Sequence, residues 1–175
     1  MSNFNYATVN IAVRAFAEVE SNKPKNSSHA GKPPLGFSEW ALIFDTETTT
    51  DSSEHLRFGS YQIRQGGELY EEGIFYHTKG ISRQELSLIK KYAGERELAL
   101  RSVSEFIEEV FYPCAFGMNA LCIGFNLPFD LSRIAIRHST ARGLDGGFTF
   151  ILSDNRYLPR VRVKHVNNRA ALIHF

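Results

Sequence analysis

Apolar and polar positions alternate in blocks from residue 39 onward, and the blocks predict a βββααβα order followed by a β-rich tail. Residues 40–44 (WALIF) form a continuous apolar run, which is typical of a central strand covered on both faces. Residues 57–64 and 68–77 indicate two further strands, with a turn at Gly66 and Gly67 between them. Because the connections are short, we expect these three strands to form a meander.

Two helices are predicted after the meander. The first begins at a capping box, in which Ser82 and Glu85 satisfy each other's exposed N–H groups, and Gly94 is a suitable C-terminal stop. Residues 98–111 then repeat apolar side chains every three to four positions, with charged side chains between them. This spacing predicts an amphipathic helix that lies on the sheet and ends near Pro113.

The rest of the pattern predicts one more buried strand, a third helix and a β-rich tail. Residues 120–125 (ALCIGF) form the strand, and Pro128 is suited to the first turn of a helix that extends to His138. Asn167 and Asn168 favour a tight turn between the last two strands of the tail. The strand-like segments of the tail are residues 147–153, 158–165 and 169–175.

Residues 1–38 are predicted to be an N-terminal extension and flexible linker ahead of one domain spanning residues 39–175. Residues 6–20 fit a strand by alternation or a helix from Asn10 by their apolar stripe, and we favour the helix. Residues 21–36 are rich in Pro, Gly, Ser, Asn and Lys and can bury little, as in a linker.

The composition is that of an ordinary soluble domain, with 43% apolar and 22% charged residues among 175. No run of eighteen apolar residues indicates a membrane span, and the N-terminus lacks the pattern of a secretory signal. Cys114 and Cys122 are isolated in sequence and indicate reduced core thiols. We therefore expect a cytoplasmic protein without a membrane partner.

The net charge of +1 hides a charge asymmetry along the chain. Residues 1–130 have 12 basic against 17 acidic side chains, whereas residues 131–175 have 8 against 2. In the basic part, Arg160, Arg162 and Lys164 alternate with valines, so one strand face is predicted to be basic. Such a face could contact the phosphates of a nucleic acid, and the alternative is an edge strand with solvated charges.

Two acids follow the apolar run of the first strand. Asp45 and Glu47 are two residues apart, so an extended strand projects both to the same side. Two neighbouring carboxylates repel each other unless a proton or a cation lies between them, and Mg²⁺ or Mn²⁺ prefers such oxygen ligands. The alternative is a polar strand end in solvent.

A third acid follows the predicted strand at 120–125. Asn126 can cap the next helix and Asp130 lies in its first turns, where an acid also favours the helix dipole. If this strand neighbours the first one, then Asp45, Glu47 and Asp130 converge at the C-terminal ends of two strands. Three carboxylates with two metal ions would form a phosphodiester-cleaving site.

These residues resemble the motifs of DEDD-type 3′-5′ exonucleases of the ribonuclease H-like superfamily, which includes proofreading domains of DNA polymerases. ALIFDTETTT resembles their first motif and IGFNLPFDLSRIA their second, and together the resemblance covers roughly residues 39–140. It implies an α/β fold of the ribonuclease H-like kind: a mixed sheet of a three-strand meander plus a parallel strand, flanked by helices. It also implies two Mg²⁺ or Mn²⁺ ions and hydrolysis at the 3′ end of a single-stranded nucleic acid.

The resemblance also implies roles for individual residues. Asp45 would bridge the metals, Glu47 would hold one of them, and Asp130 would support the other, partly through water. Asn126 and Phe129 would help to place the 3′-terminal nucleotide, although a helix cap and a core aromatic are equally open roles for them. The backbone around Thr48 would approach the same nucleotide.

The third motif of the family, YxxxD or HxxxD, is missing. Only Asp145 and Asp154 follow Asp130, and neither has Tyr or His four residues before it. Because an apolar strand-like run reaches Phe175, we expect an amino-terminal portion of a longer nuclease or a truncated relative. The fourth acid would then come from the rest of the chain or from a polymerase or nuclease partner.

Two other functions stay open at this point. One is a catalytically incomplete module of the same fold that binds nucleic acid or protein. The other is a ribonuclease H-type endonuclease or an integrase-like enzyme, which is less favoured because the NxxFD pattern resembles exonucleases.

Overall fold

The first three strands form the predicted meander in the computed structural model, which describes residues 38–141, 147–167 and 170–175. Strand β1 (Trp40–Thr48) pairs antiparallel with β2 (Leu56–Gln65), and β2 pairs antiparallel with β3 (Glu68–Tyr76). Gly66 and Gly67 both adopt positive φ in the β2–β3 turn, a conformation that glycine reaches without steric cost. The predicted N-terminal extension lies, apart from its last residue, outside the described residues.

Helix α1 (Arg83–Glu95) begins at the predicted capping box. The Ser82 Oγ accepts a hydrogen bond from the Glu85 N–H at 3.3 Å, and the Glu85 carboxylate accepts one from the Ser82 N–H at 2.9 Å. The helix continues one residue beyond Gly94 and ends at Glu95, close to the predicted stop.

The next helix differs from its prediction at both ends. Residues 99–102 are strand β4 (Ala99–Ser102), which pairs parallel with β3. The helix begins after Ser102 because a second capping box, with Glu105, forms there. It starts as α2 (Val103–Glu105) and continues as two π-helical segments, Phe106–Phe111 and Pro113–Gly117, so Pro113 does not end it.

Strand β5 (Leu121–Ile123) pairs parallel with β1, as the fold prediction requires. It is not the buried strand that its apolar sequence predicts, because Leu121 is 59% exposed. The cause is its place in the sheet order β4-β3-β2-β1-β5, which leaves it at one edge. β1 is an interior strand, but only one of its faces is buried along its length, so the prediction of cover on both faces is also wrong.

Helix α3 (Leu127–Ile134) follows β5 and is shorter than predicted. Ala135 is already extended, and His138 lies on strand β6 (Arg137–Thr140) rather than on the helix. The tail forms a separate antiparallel sheet of order β6-β7-β8-β9, and the predicted turn at Asn168 lies outside the described residues. The remaining strands are β7 (Gly147–Ile151), β8 (Val161–Asn167) and β9 (Ala170–His174).

The core lies between the five-stranded sheet, the π-helical segments and the C-terminal sheet. Phe75 stacks on Phe106 with ring centroids 4.0 Å apart, and Phe44 packs beside them. Val161 and Val163 of β8 are buried in the same cluster. The structure is therefore α/β, with a mixed five-stranded sheet and a second, antiparallel sheet that shares its core. No helix in the described parts of the chain is long and apolar enough to cross a bilayer.

Candidate functional site

The end of β1 presents different side chains on its two faces. Asp45 and Glu47 are exposed on one face, which confirms that the two acids project to the same side. Thr46 lies on the opposite face and is only 8% exposed, in line with the buried Leu42 and Phe44. The outward face is therefore acidic and the inward face belongs to the core.

Strand β5 brings helix α3 to this end of β1. The two strands are parallel neighbours, with Ala41 opposite Leu121 and Ile43 opposite Ile123. A Cβ at Gly124 would lie 3.0 Å from the carbonyl oxygen of Phe44, so the connection to α3 passes close to the β1 backbone. The condition that the two motif strands are neighbours is thus met.

Asp130 of α3 is buried against the inward face of β1. Its carboxylate is 2% exposed, and its Oδ1 accepts two hydrogen bonds from Thr46: one from the hydroxyl at 2.6 Å and one from the backbone N–H at 3.2 Å. Its Oδ2 is also buried and has no hydrogen-bond partner among the described residues. A buried anionic oxygen without a partner is costly, so this atom calls for a proton or a cation.

The surroundings of Asp130 oppose its ionisation. Burial raises the pKa of this carboxyl above its usual value, and the nearby charge of Asp45 raises it further. The hydrogen bonds from Thr46 lower the pKa and offset part of this rise. The charge of Asp45 therefore acts on Asp130, although Asp45 points outward from β1 and Asp130 packs against the inward face.

The three predicted ligands are not gathered into one group. Among the described residues, no three His, Cys, Asp or Glu side chains lie close enough together to hold a metal ion. The alternation of β1 explains this, because Asp130 contacts Thr46 while Asp45 and Glu47 point away. One buried carboxylate oxygen does not make a metal site, because a hard cation needs several oxygen ligands, so the ligand roles of Asp45, Glu47 and Asp130 stay predictions.

The predicted nucleotide-contacting residues lie around the same strand end. Asn126 occupies the N-cap position of α3, and its carbonyl accepts the Asp130 N–H at 3.0 Å. Its side chain makes no capping hydrogen bond, so the predicted side-chain cap is absent. Phe129 is half-buried under the guanidinium of Arg133, 4.6 Å from the ring centroid, and Thr48 lies beyond a bulge in β1.

Arg133 is a feature that the sequence patterns did not reveal. Its Nη1 donates to the carbonyl oxygen of Glu54 at 3.0 Å and lies 3.7 Å from the Glu54 carboxylate. Glu54 belongs to the connection between β1 and β2, so Arg133 ties α3 to the loop after the acid pair. Its position three residues after Asp130, on the next helical turn, is the only sequence signal for this role.

The basic face of β8 matches its prediction. Arg160, just before β8, and Arg162 are exposed and Lys164 is half-buried, while Val161 and Val163 are buried. Within the described residues none of the three basic side chains forms an ion pair. β8 lies between β7 and β9, so the alternative of an edge strand is wrong. Contact with phosphates stays a prediction.

No fourth acid joins the site in the described part of the chain. Asp154 is exposed and accepts a hydrogen bond from Arg137 at 3.0 Å. Asp145 lies outside the described residues. The site therefore consists of one buried carboxylate, Asp130, beside the exposed pair Asp45 and Glu47.

An apolar cavity of about 430 Å³ lies elsewhere, between β5, α3 and the C-terminal strands. Phe44, Phe111 and Leu131 are among the side chains that line it, and none of the three candidate acids does. Cys122 also lines it, and burial raises the pKa of this thiol to about 11. The thiol is protonated at neutral pH, so the cavity offers no activated nucleophile.

Comparisons of this chain with protein-family models, with curated proteins and with solved structures found no match. The case for a function therefore depends on the residues and their geometry.

Proposed function

We propose that this chain is a metal-dependent 3′-5′ exonuclease domain, or part of one, of the ribonuclease H-like type. The single observation on which the proposal depends is the buried Asp130, whose Oδ2 has no protein partner among the described residues while Oδ1 is fixed by Thr46. A buried acid without a full set of partners destabilises a fold, and such groups cluster at functional sites.

The sheet order supports the ribonuclease H-like part of the proposal. The meander β3-β2-β1 and a parallel strand beside β1 are what the resemblance to DEDD exonucleases implies. In that arrangement the two acid-bearing segments lie toward the C-terminal ends of adjacent strands: Asp45 is in the second half of β1, and Asp130 is in the helix that follows β5. β4 and the C-terminal antiparallel sheet are additions to that arrangement.

Different residues of the chain would bind the metal and position the substrate. Asp130 would hold a divalent cation through Oδ2, and Asp45 and Glu47 would hold it, or a second one, from the outward face. When bound, such cations would stabilise the charge that develops on the phosphate oxygens during in-line hydrolysis. Asn126 and Phe129 would position the terminal nucleotide, and the basic face of β8 would contact phosphates farther along the strand.

A second function is favoured by the basic face of β8. Arg160, Arg162 and Lys164 offer three basic groups with no ion-pair partner among the described residues, whereas no three candidate metal ligands gather among those same residues. A module that binds nucleic acid without hydrolysing it needs only that face. Its binding would depend steeply on salt and would not depend on metal.

The test uses the complete chain and single-stranded DNA and RNA oligonucleotides labelled at the 5′ end. With Mg²⁺ or Mn²⁺ we expect a ladder that shortens from the 3′ end, and we expect EDTA or Asp45→Asn to abolish it. Asp154→Asn is the control, because that acid is exposed and pairs with Arg137 rather than with a residue of β1. Internal nicks would indicate an endonuclease instead. Binding that persists in EDTA, without any shortening, would favour the module.

A further inference from the structure

The connection from β7 to β8 presents an aromatic ring and a guanidinium to solvent, directly ahead of the basic face of β8. Tyr157 is 79% exposed, and the guanidinium carbon of Arg156 lies 5.0 Å from its ring centroid. We propose that this connection and β8 form a binding surface for single-stranded nucleic acid, on which Tyr157 stacks with a base. The inference rests on the proposed function only in its nucleic-acid substrate, and it involves no metal.

Hydrogen bonds fix the backbone that carries the ring. The Asn155 side chain accepts a hydrogen bond from the Tyr157 N–H at 3.1 Å, and the Asn155 carbonyl accepts one from the Leu158 N–H at 3.1 Å. The Pro159 carbonyl accepts one from the Tyr112 hydroxyl at 2.7 Å, and Leu158 packs against the core. A ring on a fixed backbone has less conformational entropy to lose when a base stacks on it.

The charge around the ring favours a polyanion. The four strands of the C-terminal sheet contain three Lys or Arg residues and no acid, whereas the five strands of the other sheet contain three Lys or Arg residues and five acids. Asp154 is close to Tyr157 in sequence, but its charge is paired with Arg137 at 3.0 Å. The phosphates of a nucleic acid would therefore be attracted to the C-terminal sheet.

The spacing of the basic side chains suits an extended single strand. Arg160, Arg162 and Lys164 occupy every second position, and two residues of a strand advance about 6.6 Å, which is close to the separation of consecutive phosphates in an extended chain. On β9, the exposed His174 lies opposite Arg162 and the exposed Leu172 lies opposite Lys164. These two side chains widen the surface with groups that bases can contact. A basic path beside an aromatic ring is the combination that binds single strands.

The ring distinguishes a single strand from a duplex. In a duplex the faces of the bases are stacked on one another, so a duplex can use the basic side chains but not the ring of Tyr157. The chain also offers a matched pair for comparison. Tyr92 is 46% exposed, with the guanidinium of Arg96 4.0 Å from its ring centroid, but it lies on α1, which packs against β4 of the other sheet.

The experiment measures the binding of the complete chain to fluorescein-labelled oligothymidylate, alone and paired with oligoadenylate, by anisotropy in EDTA. Tyr157→Ala should weaken binding of the single strand about 10-fold, as expected for the loss of one stacked base, and should leave duplex binding unchanged. Tyr157→Phe keeps the ring and Tyr92→Ala removes the matched one, so both should bind like the original chain. Arg162→Ala should weaken both forms and lower the salt dependence by about one unit of slope.

The outcomes separate the inference from the proposed exonuclease. If Tyr157→Ala binds the single strand like the original chain, or loses affinity for single strand and duplex equally, the ring does not stack with a base and the inference is wrong. An equal loss in Tyr92→Ala would also overturn it, as would an original chain that binds neither form. A selective loss in Tyr157→Ala supports the inference even when no metal-dependent shortening occurs, and in that case only the exonuclease proposal fails.

Discussion

Asp45 and Asp130 border the same end of β1, yet their environments differ. Asp45 is exposed beside Glu47 on the outward face, where an acid costs the fold little. Asp130 is 2% exposed on the inward face, with one oxygen bound by Thr46 and the other without a partner among the described residues. The difference shows which acid is informative: an exposed aspartate needs no explanation, whereas a buried one with an open oxygen does.

The largest expected effect is the same for both acids, although one is exposed and the other buried. In the nuclease assay, Asp45→Asn and Asp130→Asn should each reduce metal-dependent shortening by at least about 100-fold. Loss of a residue that only supports a metal ligand costs up to about 100-fold, and loss of the ligand itself should cost no less. The reason is that both carboxylates are proposed ligands, whatever their burial. A variant of either residue that retains the original rate would remove that residue from the site.

The close packing of β1 on β2 gives the next effect. A Cβ at Gly59 would overlap the Phe75 ring and the Asp45 carbonyl, so Gly59→Ala should lower the free energy of unfolding by about 1–3 kcal/mol through overpacking. Gly94→Ala is the matched control. Gly94 lies in α1 with open space around its Cβ position, so alanine there should stabilise the helix. Chemical denaturation of both variants measures this, and equal stabilities would contradict the packing described here.

The burial of Asp130 predicts a stability effect of opposite sign to most core substitutions. Asp130→Asn removes a buried charge, so without metal at neutral pH it should raise the free energy of unfolding by about 1 kcal/mol. Asp45→Asn should change it little, because Asp45 is exposed. Thermal melts in EDTA compare the two variants. A marked loss of stability in Asp130→Asn would mean that the Asp130 carboxylate has hydrogen-bond partners for both oxygens in the folded chain.

The same comparison predicts a pH dependence. The pKa of Asp130 is raised in the folded state, so the fold binds this proton more tightly than the unfolded chain does. Its contribution to stability is fully present below the unfolded pKa, about 3.9, and disappears as the pH rises through the folded pKa. The stability of the original chain relative to Asp130→Asn should therefore fall as the pH rises from about 3.5 to about 7. A difference that stays constant across this range would contradict the raised pKa.

The smallest expected effect concerns the basic face of β8. Replacing Arg160, Arg162 and Lys164 by alanine should lower the salt dependence of oligonucleotide binding, by about one unit of slope for each phosphate that the variant no longer neutralises. A triple variant of α1, with Arg83, Lys90 and Lys91 replaced by alanine, removes the same three positive charges and controls for net charge. Equal slopes in the two variants would show that this face does not bind the phosphates.

The sequence was informative where a feature depends on near neighbours. The alternation of β1 predicts the shared face of Asp45 and Glu47, and the Ser82 capping box predicts the start of α1. The start of the second helix at Ser102 had the same signal, but the apolar spacing of residues 98–111 outweighed it. The start of this helix is therefore determined by the hydrogen bonds of its capping box and not by the spacing of apolar residues.

Features that depend on distant parts of the chain could not be predicted in the same way. The hydrogen bonds between Thr46 and Asp130 join residues 84 positions apart, and nothing in either segment marks threonine as the partner. The apolar sequence of β5 predicted burial, but its exposure depends on its position at the edge of the sheet order. The three acids were expected to converge, and the outcome depended on which face of β1 helix α3 packs against, which neither segment specifies.

The most direct test of the central claim is the thermal melt of the original chain and Asp130→Asn, each with and without Mg²⁺. If Oδ2 of Asp130 binds the cation, saturating Mg²⁺ should stabilise the original chain, by about 2.7 kcal/mol at about one hundred times the dissociation constant. Asp130→Asn should gain much less, and the advantage of that variant in EDTA should disappear. If Mg²⁺ stabilises both chains equally, or neither, the open carboxylate oxygen is not a metal ligand and the proposed nuclease site is wrong.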